Sequence, residues 1–168
     1  MSKIYNSYNL LVCFCIRHIL LCPKRLGAFL TDQHFFVIST SLNAWQALPL
    51  RLDESKKGVA SLSEYIALLV TKDRAVGFDA TSNRFIETQI PLQDELIAAE
   101  VERYVAVVIT SSRAFGLAAE SSAFTEIFLQ GGETIEEIKL TYSKATVRTS
   151  DRLLTFEASG LPWKEFRF

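Results

Sequence analysis

The sequence predicts an all-β fold built from four-stranded antiparallel repeats, and three observations carry that expectation. A motif recurs every 39 residues, the segments inside each period are short and β-branched, and the composition supplies one ample core. The chain has 168 residues, 49% of them hydrophobic and 22% charged, with seven Gly and four Pro. Such a chain is neither disordered nor collagenous, and its length suits a single repeat domain over residues 1–168. Eighteen basic against nineteen acidic side chains leave a net charge of −1, too balanced for a dedicated nucleic-acid binder or a protein that coats anionic membranes.

The period is read directly from the text. Thr71-Lys-Asp-Arg74, Thr110-Ser-Ser-Arg113 and Thr149-Ser-Asp-Arg152 are followed in register by Phe78, Leu117 and Phe156, then by Ala80, Ala119 and Ala158. Phe85, Phe124 and Trp163 share the next column, and Glu87, Glu126 and Glu165 the one after. Ile90, Leu129 and Phe168 close the units. A degraded copy lies one unit earlier, with Thr31, His34, Ile38, Thr40, Trp45, Ala47 and Leu50 in the same columns; its Thr and large aromatic survive, its Arg and Glu do not. The repeat units run over about residues 16–50, 57–90, 94–129 and 133–168.

Each element follows from local signals. Tyr104–Thr110 is a β-branched run, and the Ser111-Ser112 turn leads to Ala114–Ala119. Ser121-Ser122 then turns into Phe124–Leu129. Upstream apolar segments at Ile16–Leu21, Val59–Leu62, Leu96–Val101 and Ile135–Leu140 supply a first strand to every unit. Residues 93–103 carry helix formers with an apolar stripe, yet register with the β-branched copy at 134–142 favours a strand. Four strands per unit of about 40 residues is the arithmetic of a propeller blade. The expectation is a small β-propeller of four blades, its ring closed by pairing the N-terminal strand with the C-terminal meander, or half of an eight-bladed homodimer. A β-trefoil has three units of this size, and the fourth copy argues against it.

The segment Ala75-Val-Gly-Phe-Asp-Ala-Thr-Ser-Asn-Arg-Phe-Ile-Glu-Thr88 resembles a kelch-type propeller repeat, whose blades carry an aromatic-Asp turn followed by Asn-x-aromatic-x-Glu. About fifteen residues of one blade match. The equivalent strand lacks the kelch Gly-Gly pair, the period is shorter, and no Trp-Asp signature of WD repeats occurs. The resemblance implies propeller architecture and no family function.

Cys13, Cys15 and Cys22 all fall in the first 22 residues, so no disulfide framework spans the chain and a reducing, cytoplasmic location is expected. With His18 they could offer zinc ligands, but the spacing matches no usual knuckle, and buried apolar thiols explain them as well. The apolar run Leu10–Ile16 ends at Arg17 and His18, which fits a strand better than a signal h-region. Every apolar run is too short to span a membrane.

Catalytic signatures are missing. The only histidines are His18 and His34, no serine sits in a nucleophile elbow, and no Walker A loop, dinucleotide fingerprint, His-Glu-x-x-His or EF-hand loop is present. A non-enzymatic protein without cofactor or metal is expected. The repeated Arg74, Arg113 and Arg152 could form an anion site at a propeller axis; alternatively each pairs with Glu87, Glu126 or Glu165 of its own blade. Trp45 and Trp163 could stack against a sugar, or pack between blades with Phe85 and Phe124. Lys24-Arg25 and Lys56-Lys57 are isolated basic pairs in solvated turns. A mean hydropathy of +0.17 points to apolar surface covered by a partner. The expected function is a non-catalytic protein-binding or assembly module with another protein as partner, the alternative being carbohydrate or anion binding.

Overall fold

The computed structural model describes residues 18–21, 25–52, 54 and 58–168. The cysteines, the apolar run Leu10–Ile16, Lys24 and the Lys56-Lys57 pair lie outside them. Four antiparallel sheets follow one another along the chain, each a four-stranded meander. Blade 1 comprises β1 (His18–Leu21), β2 (Leu26–Leu30), β3 (His34–Ser39) and β4 (Ala44–Pro49). Blade 2 comprises β5 (Val59–Leu62), β6 (Ile66–Val70), β7 (Arg74–Asp79) and β8 (Arg84–Gln89). Blade 3 comprises β9 (Leu96–Glu102), β10 (Val105–Thr110), β11 (Arg113–Ala118) and β12 (Thr125–Phe128). Blade 4 comprises β13 (Ile135–Thr141), β14 (Lys144–Thr149), β15 (Arg152–Glu157) and β16 (Lys164–Arg167). The segment with helical propensity at 93–103 is strand β9, held in register by Val105↔Glu102 through Ile109↔Ala98.

Because strand side chains alternate between faces, each blade offers one face to the preceding blade and one to the next. In β6 and β10 every residue is buried, so both faces are covered. Three apolar clusters lie between consecutive blades. Leu26, Leu30 and Phe35 of blade 1 meet Leu69, Val76 and Phe78 of blade 2. Ile66, Leu68 and Val70 meet Val108, Phe115 and Leu117. Val105, Val107 and Ile109 meet Val147, Leu154 and Phe156. Phe78, wholly buried, contributes about 2–3 kcal/mol by this transfer alone. The first strands β1, β5, β9 and β13 approach their counterparts in neighbouring blades, which places them on the inner side of the curve.

The blades approach so closely that a side chain at two positions would force a neighbour to shift. A Cβ at Gly77 would lie 2.0 Å from Leu117 Cδ2, and one at Gly116 2.7 Å from the Phe156 ring. Where the chain must turn with positive φ, Asn43 and Asn83 stand in equivalent columns of blades 1 and 2. Asp79, in the kelch-like segment, accepts hydrogen bonds from the Thr81 and Ser82 amides and, at 3.2 Å, from the Glu120 amide of blade 3.

Closure of the ring departs from the expected pairing. The N-terminal strand β1 pairs with β2 of its own sheet and not with the C-terminal meander, because the chain places all four strands of each blade consecutively. Among the described residues no apolar cluster joins blade 4 to blade 1, and the blades pack in series, each on the next. No helix among the described residues is long and apolar enough to cross a membrane.

Candidate functional site

The two rims of the blade series carry different chemistry. On one rim, each repeated Thr opens the turn between the second and third strands. Thr149 Oγ accepts the Arg152 amide at 3.0 Å, and Thr71 and Thr110 do the same for Arg74 and Arg113. The arginine so positioned pairs with the glutamate one strand on: Arg74 Nη1 donates to Glu87 at 2.9 Å, Arg113 Nη1 to Glu126 at 3.1 Å, and Arg152 Nη1 to Glu165.

A second acid completes each group. Arg74 donates from Nε and Nη2 to Glu54 at 2.7 and 2.6 Å, a two-pronged carboxylate bond, and from Nη2 to the Pro49 carbonyl. Arg152 repeats this with Glu133 at 2.9 and 3.0 Å and with the Phe128 carbonyl. Glu54 and Glu133 lie in the connectors entering blades 2 and 4, so each arginine pins the incoming chain to the new blade. The third copy is looser: Asp94 is one methylene shorter, its carboxylate stands 3.7 Å from Arg113 Nε, and that nitrogen has no hydrogen-bond partner. Burial by itself would raise the Glu133 pKa, but the bonds from Arg152, Thr149 and the Gln130 amide hold it down at about 2. Glu54 is lowered in the same way, chiefly by Arg74 against burial.

The sequence-predicted residues thus take different positions. Arg74, Arg113 and Arg152 stay in separate blades, each engaged by two carboxylates. Trp163 is buried between blades, packed on Phe156 at 5.3 Å and donating its indole N–H to the Thr125 carbonyl. Trp45, in the same column of blade 1, is 51% exposed against 9% for Trp163, and packs edge to face on its own blade's Phe29 at 5.0 Å. The connector acids Glu54, Asp94 and Glu133 escaped sequence reasoning, although each stands 16 or 17 residues before its Thr.

The opposite rim holds a second group that the sequence did not signal. The hairpins joining first and second strands bring together Arg25, Glu64, Tyr65, Arg103, Tyr104 and Tyr142, from all four blades. Tyr65 and Tyr104 stack at 4.5 Å. The Arg25 guanidinium lies 4.7 Å over Tyr65, and that of Arg103 stands 5.3 Å from both the Tyr104 and Tyr142 rings. Glu64 lies 3.7 Å from Arg25 and 2.9 Å from Arg103, whose Nε nevertheless has no well-directed acceptor. The Tyr65 hydroxyl, aided by burial, raises the Tyr104 pKa above its ordinary value. Backbone bonds run along the same rim, Tyr104 N–H to Tyr142 O at 3.0 Å and Ser63 Oγ to Arg103 O at 3.3 Å. Tyr142 and Arg25 are exposed, and the rest are partly exposed. Among the described residues no cluster of three His, Cys, Asp or Glu could hold a metal ion.

No protein-family model matches the chain, and no relative is found among curated proteins. Solved structures do match. A crystallised segment of HIRA is similar with a TM-score of 0.53 at 12% identity, over 86% of this chain and 52% of that one. Hsv2 of Kluyveromyces lactis gives 0.50 at 13% identity, over 90% and 50%. The WD40 domain of Neurospora crassa Pan2 gives 0.39 at 11%, over 91% and 52%. The chain spans about half the length of these structures. Consecutive four-stranded blades packed face to face, together with this likeness, give the chain a β-propeller-type fold of no specific family.

Proposed function

We propose that the chain is a non-catalytic protein-binding or assembly module whose contact surface is the tyrosine–arginine rim. The observation that carries the reading is the grouping of Tyr65, Tyr104, Tyr142, Arg25 and Arg103 on one rim, shared by all four blades. Tyr and Arg are the residues that supply most binding energy at protein interfaces, since they bury large area at small entropic cost and keep a polar tip for hydrogen bonds. The stacking and the Glu64 ion pairs hold these side chains in place before a partner arrives, which lowers the cost of ordering them. A carbohydrate or anion site on Arg74, Arg113 and Arg152 finds less support, because their guanidinium groups are already occupied by carboxylates.

The test is affinity capture from the native host, quantified against an Arg103→Glu, Tyr142→Ala variant of unchanged circular dichroism. A stoichiometric protein retained by the wild type and lost by the variant is the expected result. Equal retention by both, or no enriched protein with a folded bait, would move the function away from this rim.

A further inference from the structure

Guanidinium groups on the two rims are neutralised to different degrees. On the rim of the repeated Thr turns each arginine meets two carboxylates: Arg74 has Glu54 and Glu87, Arg113 has Asp94 and Glu126, and Arg152 has Glu133 and Glu165. On the tyrosine–arginine rim the proportion is reversed. Arg25 and Arg103 share Glu64, at 3.7 and 2.9 Å, and among the described residues no other carboxylate lies within ion-pair distance of either. Glu102, next to Arg103 in the chain, turns its carboxylate to the Arg103 backbone amide at 3.2 Å.

The surplus cation is held in place and reaches solvent. The Glu64 side chain is 15% exposed, against 32% for Arg103 and 53% for Arg25, so the acid is covered while both guanidinium groups remain accessible. Arg25 lies over Tyr65, Tyr65 stacks on Tyr104, and Arg103 stands against Tyr104 and Tyr142. A guanidinium packed on a ring gives its face to the aromatic and keeps its N–H edge for a carboxylate. Glu64 alone serves both edges, and Arg103 Nε is left without an acceptor.

We infer that this rim takes an acidic segment of a partner protein, an Asp or Glu carboxylate of that segment pairing with the Arg25 and Arg103 guanidinium groups while its neighbouring atoms pack on Tyr104 and Tyr142. The inference rests on the reading of the rim as the contact surface and names the chemistry of what docks there. The rim calls for one further carboxylate and not for a polyanion. A nucleic acid is held by a track of cations that displaces many counterions, whereas here two cations face one acid, and Glu102 and Glu120 stand exposed on hairpins of the same rim. A carboxylate brought to this pair gains charge-assisted hydrogen bonds from groups already ordered by the rings.

The test pans a phage library of random dodecapeptides against the wild-type chain and measures each recovered sequence, as a free labelled peptide, by fluorescence anisotropy. The same peptides are titrated into Arg103→Gln, Arg25→Gln and Tyr142→Ala, each checked for wild-type circular dichroism; Arg25 is the more exposed arginine, so its variant serves if Arg103→Gln does not fold. The expected result is a set of peptides with an Asp or Glu in common, whose affinity falls roughly tenfold or more on either arginine change and equally when the shared acid becomes its amide. Peptides weakened by Tyr142→Ala that share no acid and ignore both arginine changes would overturn the inference and leave the rim as the contact surface. Peptides indifferent to all three changes would remove the rim itself, and the inference with it. A selection that returns no binder overturns the inference, and so does a single-stranded oligonucleotide that binds more tightly than any peptide and is lost on Arg103→Gln, since the occupant would then be a nucleic acid.

Discussion

Replacing Glu133 with Gln keeps the shape of the side chain and removes one charge from the most tightly held group in the protein. Its carboxylate accepts both prongs of Arg152, the Thr149 hydroxyl and the Gln130 amide. In the folded chain its pKa is about 2 against an ordinary 4.5, so the folded state binds the proton later than the unfolded state does. That difference is worth roughly 3 kcal/mol of stability, fully present well above pH 4.5 and lost as pH falls through 4.5 toward 2. By pH 3 about 2 kcal/mol of it is gone. The variant also leaves Arg152 with Glu165 as its one carboxylate, which should cost about 3–5 kcal/mol at neutral pH. Urea unfolding at pH 7, 5, 4 and 3 measures both effects. We expect the gap between wild type and Glu133→Gln to narrow by about 2 kcal/mol between pH 7 and pH 3. A gap that is the same at every pH would refute the reasoning, because the carboxylate would then not be the group that titrates.

The three arginine groups should rank by burial. Arg74→Ala and Arg152→Ala, whose side chains are about 5% exposed, should each cost about 3–5 kcal/mol, and Arg113→Ala, 23% exposed and 3.7 Å from Asp94, about 1 kcal/mol, read from denaturant midpoints. Gly116→Ala should destabilise by about 1–3 kcal/mol because its Cβ meets the Phe156 ring. Phe156→Leu should recover part of that loss in a double-mutant cycle, whereas strict additivity would mean the two sites do not touch.

Much of this architecture is legible in the text because every blade repeats the same solution. Thr71, Arg74 and Glu87 recur with fixed spacing, and of the two readings that spacing allowed, an anion site or an ion pair within the blade, the folded chain has the ion pair. The connector acids were hidden because irregular segments carry no strand period, and the shift from 17 residues to 16 before Thr breaks the column. The tyrosine–arginine rim was hidden for another reason. Its columns change identity from blade to blade, Glu64, Arg103 and Tyr142 in one and Arg25, Tyr65, Tyr104 and Ser143 in the next, so repetition could not reveal what folding brings together. The expected closure failed on topology. Strand count alone does not tell whether the first strand completes the last sheet or its own, and pairing of β1 with β2 decides for its own.

The central claim is a series of packed blades in which Trp45 of the first is half exposed while Trp163 of the last is buried against its predecessor, and the two tryptophans of the chain report on those blades from the same column. Acrylamide quenching of Trp163→Phe, which leaves Trp45, and of Trp45→Phe, which leaves Trp163, tests it most directly. The account predicts strong quenching of Trp45 and protection of Trp163 in the folded protein. Equal protection of both would contradict the account.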